Sequence, residues 1–234
     1  MTNSLRRIKQ ILKNSLFETL KLGAEIPIDT ISLPSAESTW LISPSALSRY
    51  PIVYSFGLGD DIGFELAMLN QFGATVYGFD PTPRSEAWMS KQNLPENFVY
   101  TKLGIAGQDG ILVLREPNDP GQVSYAPAGS HASGPEIEIP VRRLTEIARE
   151  NGHKHIDILK LDVEGAEFGV IDDFISSNLE IGQILIEFHY RFHGHGIMET
   201  AAYINRLRQH GYYLFYRSPW CEEFGFIKSN TIPG

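Results

Sequence analysis

From Pro51 onward the sequence alternates between two periods, and that alternation constrains the fold more than any single residue does. Ile52 to Phe56, Thr75 to Phe79, Phe98 to Leu103, His155 to Leu161 and Gln183 to Phe188 are short runs of mainly apolar and aromatic residues, as strands covered on both faces are. Between them Asp61 to Phe72, Ser85 to Gln92, Leu144 to Glu150, Ala166 to Ser176 and Met198 to Gln209 carry helical spacing. Strands and helices taken in turn make a parallel sheet with helices on both faces. Tyr212 to Tyr216 and Phe224 to Ile227 then follow each other across Arg217-Ser218-Pro219-Trp220-Cys221, which reads as an antiparallel hairpin. The predicted class is α/β: a Rossmann-like, doubly wound, seven-stranded and mostly parallel sheet that ends in a C-terminal antiparallel hairpin. Trp220 and Phe224 are expected to complete the core of that hairpin.

Ile111 to Leu114 and Glu136 to Val141 look like extra strands around a loop, Asn118 to Pro135, whose Gly, Pro, Ser and Ala content predicts mobility. Ahead of Pro51 the pattern changes. Leu5, Ile8, Ile11, Leu12, Leu16 and Leu20 recur at helical spacing with Arg6, Arg7, Lys9 and Lys13 between them, which makes an amphipathic helix. Its apolar stripe is expected to pack on the domain or on a second subunit; the competing reading is a weak peripheral contact of residues 5–20 with an anionic membrane. Pro27 to Tyr50 reads as a connecting arm with short helical turns. The chain thus divides into a helix and arm over residues 1–50 and a catalytic domain over residues 51–234.

The 234 residues carry 28 acidic and 20 basic side chains, a formal charge of -8, so a nucleic acid would be bound against the net field and a small-molecule partner is expected. Cys221 is the only cysteine, which excludes an intramolecular disulfide and a Cys-based zinc site and fits a reducing, cytoplasmic setting. No apolar run near the start is long enough to span a bilayer or to serve as a signal-peptide core, so neither membrane spanning nor secretion is expected.

The strand Ile52 to Phe56 runs directly into Gly57-Leu58-Gly59-Asp60-Asp61-Ile62-Gly63, where a helix begins. Glycines at such a turn let the backbone approach a ligand, and the helix start offers free N–H groups. Asp80 ends the next strand about 20 residues on, the place from which a carboxylate accepts hydrogen bonds from ribose hydroxyls. Turn and acid together specify a nucleoside. A dinucleotide turn wants a third glycine where this chain has Ile62, and Asp60 and Asp61 would repel a pyrophosphate. S-adenosylmethionine has no phosphate and carries an ammonium and a sulfonium, so acids at this turn favour it.

The segment Asp157-Ile158-Leu159-Lys160-Leu161-Asp162-Val163-Glu164-Gly165-Ala166-Glu167 resembles the signature of the FkbM family of methyltransferases, in which a strand ending in Lys-x-Asp-x-Glu-Gly-x-Glu opens a helix. With the glycine turn, Phe79-Asp80-Pro81 and Ile186-Glu187-Phe188-His189, the resemblance runs from about Ile52 to Lys228. It implies a class I fold and transfer of the adenosylmethionine methyl group, usually to a hydroxyl oxygen. Many members carry an acid where Ser55 stands and a Gly-Ala-Asn turn where this chain has Gly59-Asp60-Asp61. By the resemblance, Asp61 is the preferred partner of the cofactor's ammonium group, with Asp60 as the alternative, and Leu103-Gly104-Ile105-Ala106 meets the adenine.

Methyl transfer to a hydroxyl needs an aligned oxygen and a way to remove its proton. In an open sheet the reacting groups gather at the C-terminal ends of the strands beside the switch point, which places Asp162 and Glu164 after one strand and Glu187 and His189 on its neighbour. Asp162, Glu187 and His189 are expected to converge, either as an acid/base set with His189 as the proton acceptor or as ligands of a divalent ion. Lys160 reads as a buried partner of Asp162 or Glu164, and Glu167 as a stabiliser of the first turn of its helix. His193 and His195, among Gly194 and Gly196, read as a flexible, solvated loop, and Tyr190 and Arg191 as lining of the acceptor pocket. The acceptor itself is expected to be a small molecule or a sugar. Two other functions compete: a NAD-linked oxidoreductase, disfavoured by Ile62 and the terminal hairpin, and a non-catalytic nucleoside-binding relative, disfavoured by the intact set of polar residues.

Overall fold

The computed structural model describes residues 3–35, 39–117, 125–127, 134–191 and 195–232. Its main sheet has seven strands in the order β12-β13-β11-β10-β3-β4-β5. In chain order these are β3 (Ile52–Phe56), β4 (Thr75–Phe79), β5 (Phe98–Thr101), β10 (His155–Leu161), β11 (Glu180–Glu187), β12 (Tyr212–Arg217) and β13 (Glu223–Lys228). Strands β11, β10, β3, β4 and β5 run parallel, while β13 pairs antiparallel with both β11 and β12. The terminal hairpin therefore folds back so that its second strand, not its first, joins the sheet. The order reverses between β3 and β10, and the ends of those two strands form the crevice where open α/β sheets bind ligands.

Each central strand is mainly apolar because helices cover both faces. On one face lie α4 (Leu144–Glu150), α5 (Glu167–Ile175) and α6 (Ile197–Gln209), with Ile147, Phe168, Ile171, Ile204 and Leu207 against Leu159 and Ile184. The other face carries α2 (Gly63–Phe72) and α3 (Pro83–Met89), through Phe64, Met68 and Met89 against Val53 and Ile158. Helix α2 stops at Gly73, which takes a left-handed conformation with φ 62° and closes the helix through its N–H to Leu69. Helix α3 starts at Pro83 behind a Thr82 hydroxyl that accepts the Ser85 N–H.

The connecting arm holds structure that its sequence pattern does not announce. Strands β1 (Ile31–Pro34) and β2 (Thr39–Ile42) form an antiparallel hairpin, and Leu33, Trp40 and Ile42 are buried in the same core as α2. Behind them Ser43 and the buried Gln183 of β11 exchange two hydrogen bonds, 2.8 and 3.0 Å, so the amide of a central strand is satisfied by the arm. Between β5 and α4 a second sheet is built from β6 (Gly104–Ile105), β7 (Gly110–Arg115), β8 (Ala126–Pro127) and β9 (Glu136–Arg142), in the order β6-β9-β7-β8. It contains the two extra strands read from the sequence. Residues 118–124 and 128–133 of the loop expected to be mobile lie outside the described residues.

Helix α1 (Asn3–Thr19) forms as its spacing predicts, yet it docks by the opposite face. Leu5, Ile8, Ile11, Leu12 and Leu16 of the apolar stripe are exposed, Leu12 at 65%. Contact is made by Gln10, Lys13, Asn14, Phe17 and Glu18. Gln10 donates to the Pro219 carbonyl, Lys13 pairs with Glu222 at 2.9 Å, Asn14 accepts from the Cys221 thiol and Glu18 pairs with Arg217. Phe17, fully buried, stacks against Phe224 and tilts against Tyr190. The turn between β12 and β13 thus offers hydrogen-bonding groups that a polar helix face satisfies and an apolar stripe would leave unpaired. Trp220 at the tip of that turn is 62% exposed, against the expectation that it fills the hairpin core; Phe224 does fill it. Among the described residues no helix is long and apolar enough to cross a membrane.

Candidate active site

Strand β3 ends at Phe56, closely flanked by the ends of β10 and β4. The Asp162 N–H donates to the Phe56 carbonyl at 3.1 Å and the Gly57 N–H to the Phe79 carbonyl at 3.0 Å. Gly57 has φ 81°, and a Cβ on it would lie 1.8 Å from the Asp162 carbonyl oxygen. Glycine is required at this position by the close approach of two strand ends, before any ligand is considered. Gly59, also at positive φ, donates its N–H to Asp80 Oδ2 at 2.9 Å, while Asp80 Oδ1 accepts from the Thr82 N–H and hydroxyl at 2.9 and 2.6 Å. Burial raises the Asp80 carboxyl above its ordinary value, with the Thr82 and Gly59 donors pulling against it. Asp80 therefore shapes the glycine turn as well as bordering the cleft it opens on.

That cleft encloses about 1020 Å³ of empty space, solvent at its mouth included, which is room for a nucleoside-sized ligand. The sequence-predicted residues Gly57, Gly59, Asp61, Asp80, Gly104, Ile105 and Asp162 all border it. Asp61 is engaged within the fold: Oδ1 accepts the Gly63 N–H that opens α2, and Oδ2 accepts the Ser35 hydroxyl, at 2.9 and 2.8 Å. Asp60 pairs with Arg84 at 3.2 Å. Gly104 and Ile105 reach the cleft from the second sheet, as β6, rather than from the end of β5. Phe79, Leu103, Ile105, Leu112 and Ile139 give the cleft apolar lining suited to a purine, beside the glycine turn and its acids. An acidic, phosphate-repelling turn beside an apolar cleft fits adenosylmethionine, whose charged groups are cationic at the methionine nitrogen and sulfur.

Several contributors were not visible in the sequence. Ser35 and Trp40 bring the arm hairpin into the wall of the cleft, and Tyr125 brings the second sheet. Lys160, expected beside Asp162 or Glu164, pairs instead with Glu65 of α2 at 3.6 Å; Glu65 is 1% exposed and also accepts the Ser55 hydroxyl at 2.5 Å. The Lys160 ammonium lies 5.3 Å from the Trp40 ring centroid and 3.4 Å from the Gly57 carbonyl oxygen. Lys160 points inward at the last turn of β10, where Glu65 is the acid within reach. The buried triad of Ser55, Glu65 and Lys160 thus sits directly behind the glycine turn.

Beside the cleft, and sharing Asp162 and Glu164 with it, four carboxylates surround one imidazole. His189 Nδ1 donates to Glu167 Oε1. Its Nε2 lies 3.4 Å from Glu164 Oε2, 3.7 Å from Asp162 Oδ1 and 3.7 Å from Glu187 Oε1. Strand β11 ends at Glu187, yet Glu187 and His189 still meet Asp162 as their spacing predicts. Burial opposes the charge on His189, but Glu167, by charge and hydrogen bond, with Glu164 and Asp162, outweighs it and pushes the imidazole up to about 10. Glu187 is raised to about 8 by burial first and then by the charge of Asp162. His189, read from the sequence as a proton acceptor, stands among acids that favour its protonated form. Glu167 does more than stabilise its helix: it is fully buried, accepts the Gly165 N–H at 3.1 Å and orients the imidazole. Asp162, Glu164 and His189 present ligand atoms that all lie within 4.8 Å of one another.

The remaining candidates fall elsewhere. Tyr190 is buried under α1, and Arg191 pairs with Glu222 at 2.8 Å, so the acceptor-pocket reading does not describe their contacts. His195 is held by Glu199 at 2.7 Å and stacks on Phe168, in place of the solvated loop expected; residues 192–194 lie outside the described residues.

Comparison with known proteins agrees with this geometry. Human probable methyltransferase-like protein 24 is 32% identical over 157 residues, covering 66% of this chain and 37% of the relative. Its rat counterpart is 31% identical over 157 residues, with the same coverage. The chain thus spans well under half the length of these curated relatives. Among solved structures, Aeropyrum pernix fibrillarin in complex with natively bound S-adenosyl-L-methionine is similar at a TM-score of 0.41 and 12% identity, over 80% of this chain and 68% of that one, a likeness too distant to bear on the site. The Methyltransferase FkbM domain matches residues 55–214, more than half of the chain; the protein belongs to the FkbM methyltransferase family.

Proposed function

We propose that the protein transfers the methyl group of S-adenosylmethionine to a hydroxyl oxygen of a small molecule or sugar. The observation that carries this reading is the wall shared by the nucleoside-sized cleft and the carboxylate–imidazole cluster. Asp162 and Glu164 belong to both, so a hydroxyl lying against the cluster also lies at the cleft. Gly57, Gly59, Asp80, Gly104 and Ile105 would hold the nucleoside part of the cofactor, and Asp61 or Asp60 its ammonium group. Bound there, the cofactor supplies an electrophilic methyl: the oxygen–carbon bond forms as the carbon–sulfur bond breaks, with the electron pair left on sulfur.

The chain's own residues would bind the hydroxyl and take its proton. Asp162, Glu164 and Glu187 are acceptors clustered round a single imidazole, an arrangement that receives hydrogen bonds from a polyhydroxylated ligand. Glu187 Oε1 lies 3.7 Å from His189 Nε2; its carboxyl, raised to about 8, is matched to a hydroxyl proton once ionised, and it is the group assigned to accept that proton. The net charge of -8 favours a neutral or cationic acceptor over a polyanion. Cys221, buried and reduced against Asn14, suits a reducing compartment such as the cytoplasm.

The test is transfer of label from methyl-tritiated adenosylmethionine to a panel of sugars and small alcohols, with matched amines and thiols. Label in an alkali-stable ether of a hydroxylated acceptor is the expected result. Label confined to amine or thiol acceptors would refute O-methylation while leaving methyl transfer in place.

A further inference from the structure

We propose that Asp162, Glu164 and His189 bind one divalent cation of the Mn²⁺ class at the edge of the cleft. The inference deepens the methyl-transfer reading in what the cation would do, although the binding of the ion stands on geometry alone. Adjacent ligands of an octahedral ion with bonds of about 2.1 Å lie about 3 Å apart and opposite ligands about 4.2 Å apart. His189 Nε2 is 3.4 Å from Glu164 Oε2 and 3.7 Å from Asp162 Oδ1, and the three ligand atoms fit within 4.8 Å. Small side-chain movements bring all three onto one ion.

The way the imidazole is held points the same way. Its side chain is only 10% exposed, its Nδ1 donates to the fully buried Glu167, and its Nε2 is thereby turned toward Asp162 and Glu164. A buried carboxylate that fixes the tautomer and direction of a histidine is the arrangement found behind metal-bound imidazoles. Two carboxylates and one imidazole select against soft ions and suit Mn²⁺ or a related hard-to-borderline cation; the only thiol, Cys221, is packed under α1. Because Asp162 and Glu164 also border the cleft, an ion between them would have an open side where an acceptor oxygen can bind, and coordination there would ease loss of the hydroxyl proton to Glu187.

The experiment uses the full chain stripped of metal and titrated with Mn²⁺. Electron paramagnetic resonance counts the free ion, electron spin-echo modulation detects a coordinated imidazole nitrogen, and calorimetry measures adenosylmethionine affinity in the same samples. One Mn²⁺ per chain with a nitrogen signal is expected. His189→Gln should remove that signal and leave cofactor affinity unchanged, and His189→Gln and Glu164→Gln should each weaken Mn²⁺ at least tenfold. Should His189→Gln fail to fold, Glu164→Gln decides by affinity. No saturable Mn²⁺ site, or binding with no nitrogen signal, or equal binding by the folded variants, overturns the proposal. Mn²⁺ bound with nitrogen in a chain that does not bind adenosylmethionine would instead support the metal site and defeat the proposed function.

Discussion

Lys160 and Glu65 form a buried ion pair behind the glycine turn, and removing one partner should cost far more than removing both. The charges are 3.6 Å apart with side chains 7% and 1% exposed. At an effective dielectric constant of about 20 that separation corresponds to about 4–5 kcal/mol of attraction, set against the desolvation of both groups. Lys160→Met leaves Glu65 buried with the Ser55 hydroxyl as its remaining hydrogen-bond partner here, and should cost about 3–5 kcal/mol. Glu65→Leu should cost a similar amount by stranding the ammonium under Trp40. The double variant replaces the pair with apolar groups of comparable size and is expected within about 2 kcal/mol of the parent. Urea unfolding of the four proteins, read as midpoint shifts at constant slope, closes the cycle. Singles costing under about 1 kcal/mol, or a double variant equal to the sum of the singles, would refute the pairing.

Three further outcomes follow from the site. Gly57→Ala should destabilise by more than about 3 kcal/mol, since the new Cβ meets the Asp162 carbonyl at 1.8 Å and alanine at φ 81° adds about 1–2 kcal/mol of its own; a melting temperature within a degree or two of the parent would show that the turn is free to move. Asp80→Ala should weaken adenosylmethionine tenfold to about a hundredfold, the cost of about 1.5–3 kcal/mol for losing a charged acceptor, and unchanged affinity in calorimetry would take Asp80 out of the site. The His155–Asp157 pair sets a pH window. The Asp157 hydrogen bond raises His155 above 6.5, while Asp157, which burial alone would raise, is lowered below 3.8 by His155 and the Ile52 and Ser48 N–H donors. Stability from His155 is thus fully present below its unfolded value and lost as pH rises through the higher folded one; that from Asp157 is lost as pH falls through its lowered folded value. His155→Gln should approach the parent's stability on the alkaline side and fall short of it between these limits, and a stability difference that does not vary with pH would contradict the assignment.

The fold was legible because its central strands are covered on both faces and so are mainly apolar, as Ile52 to Phe56 and Gln183 to Phe188 are. Meeting of Asp162 and Glu187 followed from the switch point, and His189 joins them from just past the end of β11. The β1–β2 hairpin was not legible: its strands have four residues each, and nothing near Trp40 shows that its ring faces a lysine. Nothing in the sequence marks Glu65, because its partner, Lys160, lies far along the chain. Helix α1 docks on the domain by its polar face because the 217–222 turn presents hydrogen-bonding groups, so the packing of its apolar stripe on the domain is the part of that reading the structure corrects. His189 titrates near neutral pH in isolation, and the acids that hold its proton come from three separate elements.

Calorimetry of the purified chain with adenosylmethionine, its demethylated product and NAD tests whether the cleft between β3 and β10 takes adenosylmethionine. One site per chain is expected for the first two, lost together in Asp80→Ala, with no binding of NAD, because Ile62 stands where a dinucleotide turn needs glycine. Saturable NAD binding without adenosylmethionine binding would contradict that reading.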